Sequence, residues 1–412
     1  MTPQARSATR SRPRGRRDQL ALIAAELFAR QSYHNVSVND IAAAAGISGP
    51  AIYRHFPSKQ ALLDHILRTG LEQLLRIVDE RLGPGAPNAS ADPADRLRGV
   101  YEELAAHVIR HREVGALWRR ERRHLHGPQR AAMARIMARA ADLIVDELRR
   151  MRPELPTADA ELLAWAGASV LGSISDHRVR LPQAALERLL TAIAMNVLTA
   201  EPRTPTADAL GRSPYPEPTI LDSRREQLLA AAAQQFRDRG YHAVTMEDIG
   251  AAAGITGPSI YSHFSGKTEL LQAIADRIGD RLRQTSAQAY AAGQPPRRTL
   301  DLLVGYYVDT VVDYHDFVAA YFSEGRNLPQ RAAAELRRFQ RAYTQHWTDL
   351  VITVMPQLPE KQARIQVHAA FAVVNDIAQT RRFRSRPGHA AELRTLMLAV
   401  LTVTDLSAAT HP

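Results

Sequence analysis

Ile41–Leu63 reads IAAAAGISGPAIYRHFPSKQALL, and Ile249–Leu271 reads IGAAAGITGPSIYSHFSGKTELL. The offset is 208 residues at both ends, and the match runs without a gap back to Arg17 and Arg225. There RDQLALIAAELFARQSYHNVSVND stands opposite REQLLAAAAQQFRDRGYHAVTMED. A period this long exceeds a solenoid unit and marks a duplicated domain. Within each copy the pattern is helix, tight turn, short helix. Ile41–Ala45 is rich in helix formers, and Gly46 supplies a turn where a left-handed backbone costs least. Ser48 or Thr256 can cap the next helix, with Pro50 or Pro258 in a first turn that needs no N–H. That helix is expected to run about two turns, to Phe56 or Phe264. Ile52 and Phe56 fall on the core side, while Tyr53, Arg54 and Lys59 point outward. Two helices joined by a glycine-containing turn form a helix-turn-helix, whose second helix enters the major groove of DNA.

Lys59 and Lys267 each open the following helix, where a cation opposes the macrodipole. A phosphate there would satisfy both the helix N-terminus and the ammonium. Only three lysines occur among the 53 basic residues, and two of them hold these equivalent places. The segments resemble the DNA-binding domain of TetR-type transcriptional regulators, through Ile-Ala-x-x-Ala-Gly-Ile-Ser, Ile-Tyr-x-His-Phe and Ser-Lys. The resemblance covers about 50 residues of each half. Pro50 and Pro258 stand where many members carry glycine, a departure that bears on base contacts and not on the fold. The resemblance implies phosphate contacts from Tyr53, His55 and Lys59, and from Tyr261, His263 and Lys267. Ser37, Ser48, Thr245 and Thr256 would add hydroxyl contacts. Base edges would meet Pro50, Ala51 and Arg54 in one copy and Pro258, Ser259 and Ser262 in the other.

Composition fits this picture. The 45% apolar content suffices for packed cores, and low aromatic content suits close-packed helices. A net charge of +10 suits a polyanionic partner. Without cysteine there is no disulfide, thiol nucleophile or Cys-ligated metal. No apolar run approaches a membrane span or a signal h-region, so a cytoplasmic protein that does not use a membrane is expected.

Residues 1–16 form a polar arm in which Arg12, Arg14 and Arg16 either follow the minor groove or attract DNA non-specifically. The first helix-turn-helix domain takes 17–65, opened by a helix with Leu20, Ile23, Leu27 and Phe28 on one face. Ser37 and Asp40 approach a capping box for the second helix. Residues 66–200 show helical periodicity over Ala94–Arg112, Val114–His124, Gln129–Met151, Thr157–Val179 and Ala184–Thr199, broken at Pro128, Pro153, Pro156 and Pro182. Residues 201–221 hold five prolines and no apolar period, which makes a semi-rigid linker. A second helix-turn-helix domain (222–273) and a second helical domain (274–406) repeat the plan. The expected class is all-α.

The resemblance assigns the helical domains to effector binding and to a helix bundle that pairs two units. Pairing is expected within one chain, through 157–200 and 358–406, with Ala166, Ala168 and Gly172 permitting close approach; a homodimer is the alternative. Glu121 or Arg123, and Glu324 or Arg326, are candidates for the polar end of a largely apolar effector. Trp118, Leu117 and Trp165, or Phe317, Tyr321, Phe322, Tyr343 and Trp347, are candidates for its walls, although aromatic residues at helical spacing also build cores.

Other constellations carry less. Glu103, His107 and His111 share a helix face but lack a third metal ligand type from elsewhere, so no metal or cofactor is expected. Ser175, Asp176 and His177 are consecutive, and their side chains diverge too far for a hydrolytic relay. No phosphate loop, dinucleotide fingerprint or nucleophile elbow is present, so an enzyme is not expected. The sequence therefore reads as a transcriptional regulator, a repressor released by a small molecule, with two reading heads on an asymmetric operator. Its rivals are a non-specific DNA-coating protein and a helical ligand-binding protein without DNA affinity.

Overall fold

The computed structural model describes residues 15–87, 91–121, 125, 127–202, 223–255 and 257–403. Among them lie eighteen α-helices and no strand. The first half runs α1 (Arg16–Gln31), α2 (Val38–Ala44), α3 (Gly49–Tyr53), α4 (Lys59–Leu82), α5 (Pro93–Arg110), α6 (Arg112–Glu121), α7 (Gly127–Met151), α8 (Thr157–Gly172) and α9 (Gln183–Leu198). The second half runs α10 (Arg224–Arg239), α11 (Met246–Ala252), a 3-10 turn (Gly257–Ile260), α12 (Lys267–Ala291), α13 (Pro296–Asp313), α14 (His315–Glu324), α15 (Gln330–Val354), α16 (Glu360–Gln379), α17 (Arg381–Arg384) and α18 (His389–Leu401). The all-α expectation holds. The expected linker falls almost entirely outside the described residues, as do Arg12, Arg14, Arg123 and Thr256.

The described chain divides into two compact units. One comprises the residues up to Gln73 together with Glu113–Ile136. Its core is Leu20, Ala24, Ala25 and Phe28 of α1, closed by Ile41, Ile52, Phe56, Leu63 and Leu67. Burying each large apolar side chain contributes about 1.5–3 kcal/mol. Ile23 and Leu27 are only half-buried, because Ala24 and Ala25 let neighbouring helices approach the backbone and turn the buried stripe by one step. Ser37 and Asp40 form a complete capping box, and Thr245 and Asp248 repeat it in the second half. Gly46 and Gly254 take φ of 65° and 66°, the left-handed turn that their sequence position called for.

The other unit comprises Leu74–Arg112 and the residues from Met137 onward. Within it α8 and α9 pack against α16 and α18. Leu162, Leu163, Ala166, Gly167 and Val170 leave α8 almost no exposed face, as a helix that is apolar all round requires. Ala166 is buried as expected, but Ala168 is exposed and Gly172 half-buried. Gly167 permits a close approach within the first half, where a Cβ would strike the Tyr101 hydroxyl of α5. Polar ties fix the joint. Asn196 Nδ2 donates to Ala399 O at 2.7 Å, and Arg386 donates to Ala158 O at 2.9 Å while pairing with Asp159 and Glu392. The two corners differ in chemistry: Trp165 packs on Phe383 at 6.0 Å, whereas the His177 and His368 rings stack at 4.7 Å.

Two expected boundaries move. Pro128 lies inside the first turn of α7, where its missing N–H is harmless, so the helix starts at Gly127 and not at Gln129. The helix from Thr157 stops at Gly172 and tightens into a 3-10 turn at Ser173–Ser175, short of Val179.

Candidate nucleic-acid interface

Each helix-turn-helix presents a short second element. In the first it is the five-residue α3, and in the second the four-residue 3-10 turn. Both are shorter than the two turns expected. In each copy the burial of an Ile and a Phe four residues on ties the chain to the core before a second turn completes. Ile52, Phe56, Ile260 and Phe264 are all 1–2% exposed. Further in, Gly250 replaces Ala42, and a Cβ there would strike the Ile260 side chain, so the second element seats directly on α11. Ser48 is the residue before α3 but makes no side-chain cap.

The outward face matches the expectation. Ser48, Pro50, Tyr53 and Arg54 are exposed, with Ala51 and His55 half-buried; Ser259, Tyr261 and Ser262 are exposed, with His263 half-buried. Tyr53 and Tyr261 are among the largest exposed apolar surfaces, at 55% and 53%. Ser37 and Thr245 are exposed and already engaged in their capping boxes. Arg16, expected in the arm, instead opens α1 and donates to Ala45 O at 3.0 Å. Arg17 and Arg225 lie over the rings of Phe56 and Phe264, bracing the end of each second element.

The lysines turn inward, against expectation. Lys59 Nζ donates to Tyr33 O at 2.8 Å and Val36 O at 2.9 Å and lies 4.3 Å from the Tyr33 ring centroid. Lys267 Nζ donates to Tyr241 O at 2.8 Å over the Tyr241 ring. Burial lowers the pKa of both amines. The loop between the first two helices leaves carbonyls that no helix satisfies, and the amine satisfies them. Sequence spacing located the two lysines but could not show the direction of their side chains.

The same loop meets the helical domain. Tyr33 N donates to Glu121 Oε1 at 3.3 Å, so the buried Glu121 at the end of α6 is directed at the helix-turn-helix. In the second half Asn327 bridges His242 (2.9 Å) and Glu324 (2.6 Å), and Arg237 of α10 pairs with Asp316 of α14. Sequence reasoning missed Arg237 and Asp316, whose positions carry no motif.

The expected pocket residues separate. Trp118 is half-buried in α6, and Trp165 sits at the joint between α8 and α17 under Arg382. Phe317 contacts Tyr314, while Tyr343 and Trp347 join Tyr307 and Phe371 in one aromatic cluster. The Tyr343 hydroxyl lies buried beside Ser286 and Trp347, and the Tyr321 hydroxyl lies buried beside Gln340. Glu103 is engaged by Arg81, leaving His107 and His111 as a ring pair at 4.6 Å. Ser175 donates to Arg112 O, and His177 Nδ1 accepts from Val179 N, so neither takes part in a relay. Among the described residues no group of three acidic, His or Cys side chains could hold a metal, and no helix is long and apolar enough to cross a membrane.

Two helix-turn-helix domains, each followed by its own helical domain, define the class. Residues 23–66 and 228–274 both match the family described as bacterial regulatory proteins, tetR family. The transcriptional activator FasR of Mycolicibacterium smegmatis is 34% identical over 130 residues, 32% of this chain and 59% of FasR, so the chain spans under two thirds of that relative. The transcriptional repressor KstR2 of Rhodococcus jostii is 29% identical over 181 residues, 44% of this chain and 88% of KstR2. A solved structure, the ketosteroid transcriptional regulator KstR2 of Mycobacterium tuberculosis, is 24% identical, covering 44% of this chain and 94% of its own, with a TM-score of 0.38. The chain is a tandem fusion of two TetR-type units.

Proposed function

We propose that this protein is a sequence-specific DNA-binding transcriptional regulator, of the repressor type, released by a small-molecule effector. The observation that carries the reading is the pairing of an exposed helix-turn-helix face with a direct bond from the helical domain to its first helix or the loop that follows. Glu121 holds Tyr33, and Arg237 holds Asp316, so a shift of α6 or α14 is passed to the reading head. The relatives named as repressor and activator support a regulator. In the second half the aromatic cluster of Tyr307, Tyr343, Trp347 and Phe371 favours an effector that is largely apolar.

The operator is asymmetric. Palindromes mirror identical reading heads about one helical turn apart, ~34–36 Å. Here Arg54 stands opposite Ser262, and Arg can bind guanine O6 and N7 bidentately, at about 1–3 kcal/mol of discrimination. Selection from a randomised library with wild type and Arg54→Ser tests this. The expected site has one strict half that relaxes at a base position in the mutant. A perfect palindrome from the wild type, or no relaxation, refutes it.

A further inference from the structure

The two DNA-binding faces differ in the charge and the engagement of the groups on their second elements. In the second copy Ser262, opposite Arg54, donates its hydroxyl to Ser259 O at 2.7 Å. Tyr261 donates to Glu247 Oε1 at 3.3 Å, and position 247 corresponds to Asn39 in the first copy. Arg225 donates to His263 O at 2.7 Å over the Phe264 ring, and its counterpart Arg17 likewise lies over Phe56, so the contrast rests on the second elements and not on these arginines.

The start of the next helix shows the same trend. Glu269 is the third residue of α12 and accepts from both Ser265 N (2.8 Å) and Ser265 Oγ (2.9 Å). These donors hold its carboxyl below the usual range, so it is ionised. The corresponding residue of α4 is Ala61, whose N–H bonds to Ser58 Oγ instead. The second face has thus gained two carboxylates and lost one guanidinium relative to the first. A carboxylate at the head of a helix takes the place a phosphate would take and repels one nearby. Meanwhile Arg54 is exposed and makes no ion pair among the described residues.

From this we infer that tight DNA binding rests on the first helix-turn-helix, and that Glu247 and Glu269 keep the second off the phosphate backbone. The inference builds on the regulator reading and takes its asymmetry further: the strict half-site is also the half that holds the protein. The second head then acts as a weak reader, whose contribution is set by its own acids.

The test uses the full chain on the selected operator, with affinity, salt dependence and hydroxyl-radical footprint measured together. Tyr53→Phe with Arg54→Ser should lower affinity tenfold or more, whereas Ser259→Ala with Ser262→Ala should change it less than threefold. Glu247→Asn, Ser262→Arg and Glu269→Ala combined should raise affinity at least tenfold. The combined variant should also steepen the log K against log[salt] slope and extend the footprint by about one helical turn, ~10 base pairs. Thermal melts confirm that each variant is folded, and the gain in the combined variant cannot arise from misfolding. Equal losses from the two heads, or an unchanged footprint in the combined variant, overturn the inference while leaving the regulator reading intact. Absence of any sequence-preferring complex sinks that reading, and this inference with it.

Discussion

Lys59 shows how one side chain serves the fold at a place where the sequence suggests ligand chemistry. Its ammonium satisfies two loop carbonyls and rests on a tyrosine ring, and one amine with two such bonds is an anchor. Lys59→Ala is expected to lower stability by about 2 kcal/mol, the loss of charge-assisted bonds to buried carbonyls. It should weaken specific and random DNA binding together while leaving the salt slope unchanged; a slope lower by about one would instead place the amine on a phosphate. Ser32 offers a cleaner case. It follows α1 with φ 73° and ψ 151°, a region nearly reserved for glycine, and its counterpart Gly240 has φ 83° and ψ 153°. Ser32→Gly should therefore raise the urea midpoint, by about 1 kcal/mol of stability, and Gly240→Ser should lower it.

At the level of helices, the duplicated passage and the capping pairs made the architecture legible. Ser37–Asp40 starts α2 where spacing put it, the structure repeats that cap at Thr245–Asp248 of α11, and Gly46 and Gly254 make the turns. The lengths of the second elements were less legible, because Ile52 and Phe56 fit either one helical turn or two until packing decides. The candidate pocket was least legible, since the periodicity that places Trp165 or Trp347 inside does not say which neighbour it meets. The stacked His177 and His368 rings illustrate this and yield a pH prediction. Burial, with Arg112 beside His177, pushes both rings down, His368 to about 4; Asp176 opposes this at His368 and Arg364 adds to it. Both are neutral in the folded protein, and the unfolded chain takes up protons first, near pH 6.5. Stability from this corner is thus complete above about pH 6.5 and is lost as pH falls toward 4, by about 1.4 kcal/mol per pH unit for each ring. Replacing both by Phe should flatten that limb of the urea midpoint against pH; an unchanged slope would assign the acid sensitivity to His107 and His389, which burial also lowers to about 4.

Across the whole chain, the joint of α8 and α9 with α16 and α18 joins residues about 200 positions apart, as Asn196 and Ala399 do. A face already covered by its own chain has little left for a second copy. Light scattering of the dilute protein is expected to give a mass near 45.6 kDa, and twice that value would mean that chains pair as well. The same joint has a consequence for dosage. When two separate chains must meet, halving their number more than halves the assembled form, and scarce regulators fall apart. Covalent tethering replaces that meeting by a local concentration on the order of millimolar, however few molecules a cell contains. On the proposed reading, occupancy of the DNA is expected to follow copy number in simple proportion, without a threshold, so that a handful of molecules would still work.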